Sequence, residues 1–200
     1  MRIIGGRLGG RLLLEPTPQI KKFLRPMREA VRAALFDILG DSVRDARFLD
    51  LFAGTGSIGL EALSRGARAC VFVDSSEQAC RIIRENLKNL DLERCARVYQ
   101  LDALKAIEFL HRQGQQFDLV FIGPPYGKGL AHKTLDHMAA HPILSPGALV
   151  VTEIFKKEQV QIEYGLLKSF DERTYGDNHL RFYRWEALGY NTKRGELDEA

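Results

Sequence analysis

From Phe48 onward the chain alternates apolar runs of strand length with segments of helical periodicity, and this alternation restricts the fold more than any other feature. RFLDLFA precedes a helical pattern over about 57–64, ACVFVD one over about 77–90, and ARVYQL one over about 103–111. DLVFI then precedes a helical pattern near 130–140, and ALVVTEI closes the series. Five strands alternating with helices predict a parallel sheet covered on both faces, because helical crossovers return each strand in the same direction. The end differs: 167–173 and 179–185 are β-prone and joined only by the turn YGDN, which leaves no room for a crossover helix. They predict an antiparallel edge pair, giving a seven-stranded, mostly parallel sheet.

Before the first unit, RIIGGRLGGRLLL (2–14) places short β-prone runs around Gly-Gly pairs, the pattern of an irregular hairpin. A helix is expected from Arg28 to Leu39, with Val31, Ala34, Leu35, Ile38 and Leu39 on its apolar face and Gly40 as its stop. Two hundred residues suit one domain with a small appendage. The expected division is a basic hairpin and helix over 1–40, a catalytic domain over 41–186 and a mobile polar tail over 187–200. No run approaches the roughly 20 apolar residues that span a bilayer, and no signal peptide is evident, so a soluble cytoplasmic chain is expected. Cys70, Cys80 and Cys95 form no C-x-x-C pair and suggest neither disulfides nor a zinc site.

After the first strand, Asp50-Leu51-Phe52-Ala53-Gly54-Thr55-Gly56-Ser57-Ile58-Gly59 carries G-x-G-x-x-G at a strand-to-helix junction, where glycines let the backbone approach a nucleotide-like ligand. A dinucleotide enzyme uses the same glycines to seat a pyrophosphate on the helix N-terminus. Asp50, four residues before the first glycine, would repel a pyrophosphate but attract an ammonium. S-adenosylmethionine carries an ammonium and a sulfonium and no phosphate. Asp74, with Ser75 beside it, ends the second strand where a carboxylate can accept from ribose hydroxyls, and Asp102 with Ala103 follows the third. Carboxyl ends of successive strands meet at one crevice, so the three acids should line a single pocket. As helix N-caps, Asp74 and Asp102 would have a purely structural use.

The fourth strand ends in Phe121-Ile122-Gly123-Pro124-Pro125-Tyr126, a rigid turn whose tyrosine offers a flat face for an extruded base. With the glycine loop, this turn resembles class I methyltransferases that modify base amino groups, whose fourth strand ends in Asp/Asn-Pro-Pro-aromatic. More closely, the chain is similar to the bacterial RsmD-type 16S ribosomal RNA guanine-N2 methyltransferase family. The resemblance extends to about Trp185 through Arg2-Ile3-Ile4-Gly5-Gly6, Arg25-Pro26, Arg32, Leu35-Phe36, LDLFAGTGSIGLEALSRGA, FDLVF, PPY and YGDNHLRFYR. It implies a Rossmann-like class I methyltransferase fold with S-adenosylmethionine as cofactor. It implies further that Asp50 and Phe52, Ala53, Gly54, Thr55 and Gly56 hold the methionine part, Asp74 the ribose, and Asp102 with Ala103 the adenine. Pro124, Pro125 and Tyr126 would hold the target guanine. The implied substrate is 16S ribosomal RNA within a small-subunit assembly intermediate, taken by a monomer without metal or membrane.

Three positions depart from the family pattern: Met27 replaces Thr, Ala30 replaces Arg, and Gly123 replaces the acidic or amide residue. The last bears on chemistry. A guanine N2 amine is a poor nucleophile, and acceptors that bind its N–H groups orient its lone pair. With no side chain at 123 one acceptor is missing, a loss of about 2.7 to 4 kcal/mol by analogy with an oxyanion-hole donor, or about 100- to 1,000-fold in rate. Backbone carbonyls, water or Glu153 at the end of the fifth strand are the available substitutes.

Residues 1–36 hold eight Lys/Arg and two acids, net +6, so the rest of the chain sums to −3 of the total +3. Arg2, Arg7, Arg11, Arg25, Arg28 and Arg32, with Lys21 and Lys22, are therefore expected to contact RNA phosphates. His132, His137 and His141 show no metal pattern and are expected to be ordinary surface or helix residues. Competing readings are a methyltransferase for adenine N6 or protein glutamine, an RNA-binding module inactive through Gly123, and a nicotinamide-dependent oxidoreductase. Methyl incorporation separates an enzyme from a binding module.

Overall fold

The computed structural model describes residues 1–15 and 27–187. Arg25, Lys21, Lys22 and the tail from 188 onward lie outside the described residues. The strands are β1 (Arg47–Asp50), β2 (Ala69–Asp74), β3 (Ala96–Gln100), β4 (Phe117–Ile122), β5 (Leu144–Phe155), β6 (Glu163–Tyr164), β7 (Leu167–Tyr175) and β8 (Asn178–Trp185). The helices are α1 (Glu29–Leu39), α2 (Ser57–Ser64), α3 (Glu77–Asn89), α4 (Ala103–Arg112) and α5 (Leu130–Ala140).

One sheet runs in the order β3-β2-β1-β4-β5-β8-β7-β6. Its first five strands pair in parallel, and β8, β7 and β6 add antiparallel. The expected edge pair is present, turned at Gly176 and Asp177. The count is eight rather than seven because Glu163 and Tyr164 form a two-residue strand too short to leave a period in the sequence. The strand order reverses beside β1, which separates β2 from β4, and that reversal opens a crevice at the carboxyl ends of these strands.

Strand side chains alternate between two cores. Phe48, Phe72, Leu119 and Phe121 face α1, α2 and α3, packing with Leu35, Phe36, Ile58, Leu63 and Ile83. Leu49, Val73, Val120 and Val150 face α4 and α5, packing with Ile107, Leu110, Leu135 and Met138. The period-2 pattern within each strand therefore serves two helical layers, which is why the strands look almost uniformly apolar.

The N-terminal hairpin is reduced to a single bridge, Arg2 to Leu12, around a 3-10 turn over Gly6–Leu8. It is no appendage, because Ile3 and Leu13 join the first core and three buried polar side chains clamp its backbone. Ile4 and Gly5 donate to the two oxygens of Glu61 at 2.7 and 2.8 Å, Leu8 donates to Ser64 Oγ at 3.0 Å, and Leu14 donates to Asn86 Oδ1 at 2.8 Å. Position 40 is thus not a packing boundary. In α1 the buried face is Val31, Arg32, Leu35, Phe36 and Leu39, rotated from the expected one, and Ile38 is exposed. Arg32 stabilises this rotation by pairing with Glu61 at 3.8 Å and donating to the Arg2 carbonyl at 2.6 Å.

Candidate active site

A crevice of about 790 Å³ opens at the carboxyl ends of β1, β2, β3 and β4. Asp50, Phe52, Ala53, Gly54, Thr55, Asp74, Ser75, Asp102, Ala103, Gly123, Pro124, Pro125 and Tyr126 all line it. The structure therefore brings together nearly the whole expected set. Gly56 lies just behind the lining, where its φ of 78° turns the chain into α2. Gly59, one turn later, is required by contact: a Cβ there would sit 2.3 Å from the Phe72 ring.

Asp50 is buried and accepts from Gly59 N–H at 3.2 Å through Oδ2, while Oδ1 has no hydrogen-bond partner among the described residues. Burial pushes its carboxyl up to about 7, with the Gly59 bond opposing and Asp74 adding to the rise. An unpartnered buried acceptor is costly unless a ligand meets it. The position fits the ammonium of S-adenosylmethionine, which would supply a donor and a countercharge together.

Asp74 is tied into the loop, accepting from Gly54 N–H at 2.8 Å and Ser76 N–H at 2.8 Å. It is not a helix cap; Ser76 caps α3 by accepting from Ala79. Each Asp74 oxygen retains a second lone pair for a ribose hydroxyl. Asp102 does cap its helix, accepting from Leu104 at 3.0 Å and Lys105 at 3.5 Å, while lining the crevice.

On the opposite wall, Tyr126 donates to Glu153 Oε1 at 3.1 Å, and Asn178 donates to the same oxygen at 2.6 Å. Glu153 is only 7% exposed and lines the crevice. Its burial pushes the carboxyl up, against the pull of these two donors. Register explains its place: Thr152 pairs with Ile122, so Glu153 is the residue of β5 alongside Gly123. Gly123 is itself enforced, since a Cβ would lie 2.7 Å from Cε1 of Phe121.

Of the expected phosphate contacts, Arg32 is corrected: it is 1% exposed and ion-paired, so it cannot reach RNA. Arg2, Arg7, Arg11 and Arg28 are exposed. Arg28 adjoins Met27, which lines the crevice, and reaches toward Gly176. Arg7 sits beside Ser64, and Arg11 donates to the Asn89 carbonyl. Those are the far ends of α2 and α3, roughly 12 to 20 Å from helix starts that border the crevice. Lys128, which lines the mouth, was not singled out in the sequence because a lone lysine after a turn carries no pattern. Beside His137 and His141 stands Glu108 from another helix, a neighbour that spacing along the sequence does not reveal.

The chain matches the family model described as Conserved hypothetical protein 95 over residues 1–184. It is 33% identical over 189 residues to ribosomal RNA small subunit methyltransferase D of Escherichia coli K12, covering 94% of this chain and 92% of that protein. A solved hypothetical protein of Thermus thermophilus superposes with a TM-score of 0.77 at 33% identity, covering 91% and 98% of the two chains. An RNA methyltransferase of Salinibacter ruber, solved with S-adenosyl-L-homocysteine, shares the fold with a TM-score of 0.62 at 16% identity, covering 87% and 99%. With glycine loop, acidic crevice and Pro-Pro-Tyr turn in the order that its relatives' class I methyltransferase fold requires, the chain belongs to the Conserved hypothetical protein 95 family, that of ribosomal RNA small subunit methyltransferase D.

Proposed function

We propose that the chain transfers a methyl group from S-adenosylmethionine to the exocyclic N2 of a guanine in 16S ribosomal RNA. One observation carries this reading: the unpartnered, buried Oδ1 of Asp50 and the Pro-Pro-Tyr turn face a single crevice. Its relatives named for small-subunit ribosomal RNA support the substrate class.

The bound cofactor supplies a methyl carbon already activated by its sulfonium. Asp50 pairs with the ammonium, the loop from Phe52 to Gly56 encloses the methionine part, and Asp74 accepts from the ribose hydroxyls. Asp102 and Ala103 border the adenine. Pro124, Pro125 and Tyr126 clamp the flat base and position its amine.

Glu153 takes the acceptor role that a side chain at 123 holds in the usual motif. Tyr126 and Asn178 both occupy Oε1, and no described residue bonds Oε2. The carboxylate accepts an N2–H, turns the amine lone pair toward the methyl carbon, and takes up the proton that the amine loses. The substrate is RNA of an assembling small subunit in the cytoplasm, approached by the basic rim at Arg28 and Lys128.

The test is transfer of labelled methyl from S-adenosylmethionine to small subunits lacking N2-methylguanosine, followed by nucleoside mapping. One N2-methylguanosine per 16S RNA is the expected product. Methylation at adenine N6, or no incorporation by a folded protein that binds the cofactor, would overturn the guanine or the enzymatic reading respectively.

A further inference from the structure

We propose that Glu108, His137 and His141 form a binding site for a zinc-like divalent transition-metal ion, apart from the methyl-transfer crevice. One ligand atom from each lies within 4.8 Å of the others, and none of the three lines the crevice. His137 lies in the last turn of α5, His141 is the C-cap residue one turn further on, and Glu108 belongs to α4.

The ring nitrogens are prepared for ligation. His141 Nδ1 lies 3.0 Å from the His137 carbonyl. A carbonyl only accepts, so Nδ1 carries the hydrogen and the neutral ring leaves its lone pair on Nε2. Histidine ligands ordinarily have their second nitrogen held by a carbonyl in this way. His137 Nε2 is buried with no hydrogen-bond partner, although Glu108 Oε1 lies 3.2 Å away. The pair is close without hydrogen-bond alignment. Ligands about 2.1 Å from a tetrahedral ion stand roughly 3.4 Å from each other, so an ion between these two atoms suits the observed spacing.

The rings of His137 and His141 lie 4.2 Å apart, and His111 packs edge-on against His141 at 5.8 Å with its own Nδ1 held by the Pro142 carbonyl at 3.0 Å. Two imidazoles and one carboxylate suit zinc, with water in a fourth position, whereas calcium and magnesium require more oxygen donors. The ion would tie α4 to α5 across the face of the sheet remote from the N-terminal hairpin.

The experiment titrates zinc chloride into the chelator-treated full chain by calorimetry, with cobalt as a spectroscopic probe of tetrahedral nitrogen and oxygen ligands. One equivalent is expected to bind. Zinc at about 100 times its Kd should raise Tm by about 5 to 10 °C. His137→Gln and His141→Gln should each weaken binding about 100-fold or more, beyond the roughly 10- to 100-fold of outer-shell changes, with unchanged S-adenosylmethionine affinity. Failure of the wild-type chain to take up one equivalent overturns the site. So does uptake that persists unweakened in both variants, because the ion is then held elsewhere.

Discussion

Tyr126 on the Pro-Pro-Tyr turn donates to Glu153 at the end of β5 across 3.1 Å, linking that turn to the buried carboxylate beside Gly123. On the proposed mechanism, Glu153→Gln keeps the shape but removes the charge that would take up the amine proton. The expected loss in kcat is about 100- to 1,000-fold, by analogy with one oriented catalytic group. Cofactor affinity should stay constant. Because burial raises the Glu153 carboxyl, wild-type kcat should climb with pH as that group ionises, and this limb should vanish in the glutamine variant. Steady-state rates across pH check both points.

Gly123→Asp would restore the residue of the usual motif, yet it should not restore rate. Its Cβ meets the Phe121 ring at 2.7 Å, and Phe121 is a buried core residue. Overpacking of this kind costs about 1 to 3 kcal/mol. Gly123→Ala isolates the steric part. Urea melts should show both variants destabilised, and methyl transfer by the aspartate variant should be equal to or below wild type.

Asp50 gives a pH signature. Its folded value of about 7 lies above the unfolded 3.8, so the native state holds the proton more tightly. Stability from this group is fully present below about pH 4 and falls as pH rises toward 7, by up to about 4 kcal/mol. Asp50→Asn should flatten that fall in the cofactor-free protein and abolish cofactor binding. In the wild type, the ammonium favours the ionised carboxylate, so binding below pH 7 should release a proton. Calorimetry in buffers of different ionisation enthalpy measures it.

The crevice was legible because its parts sit at strand ends, where G-x-G-x-x-G and Pro-Pro-Tyr mark the backbone directly. Glu153 was legible only as a strand terminus; its bond to Tyr126 depends on the register of β5 against β4. Arg32 misled because charge counts do not see burial, and nothing local to α1 announces Glu61 of α2 as its partner. Ile38 and Phe36 exchanged places for the same reason: pairing that arginine inward turned the helix. The grouping of Glu108 with His137 and His141 was invisible since Glu108 and His137 come from different helices.

Glu61 holds the hairpin to the catalytic unit. It is fully buried, accepts from Ile4, Gly5 and Arg65, and faces Arg32, whose guanidinium is pushed down by burial and held up by Glu61. Glu61→Ala would leave a buried cation uncompensated, at about 3 to 5 kcal/mol. Equilibrium unfolding should show that loss.

RNA affinity should depend on where a basic residue sits rather than on the local charge total. Lys128 lines the crevice and Arg28 adjoins Met27, which lines it too, whereas Arg7 and Arg11 lie beside the far ends of α2 and α3. On the proposed reading, a base held against Tyr126 would bring its flanking phosphates to the mouth, and each phosphate neutralised there would release counterions. Arg28→Ala with Lys128→Ala should therefore weaken binding and reduce the salt slope by about 2. Arg7→Ala with Arg11→Ala should change both much less, and equal losses in the two pairs would refute a mouth-centred footprint. Filter binding across a salt series, with cofactor affinity as the control for folding, distinguishes these outcomes.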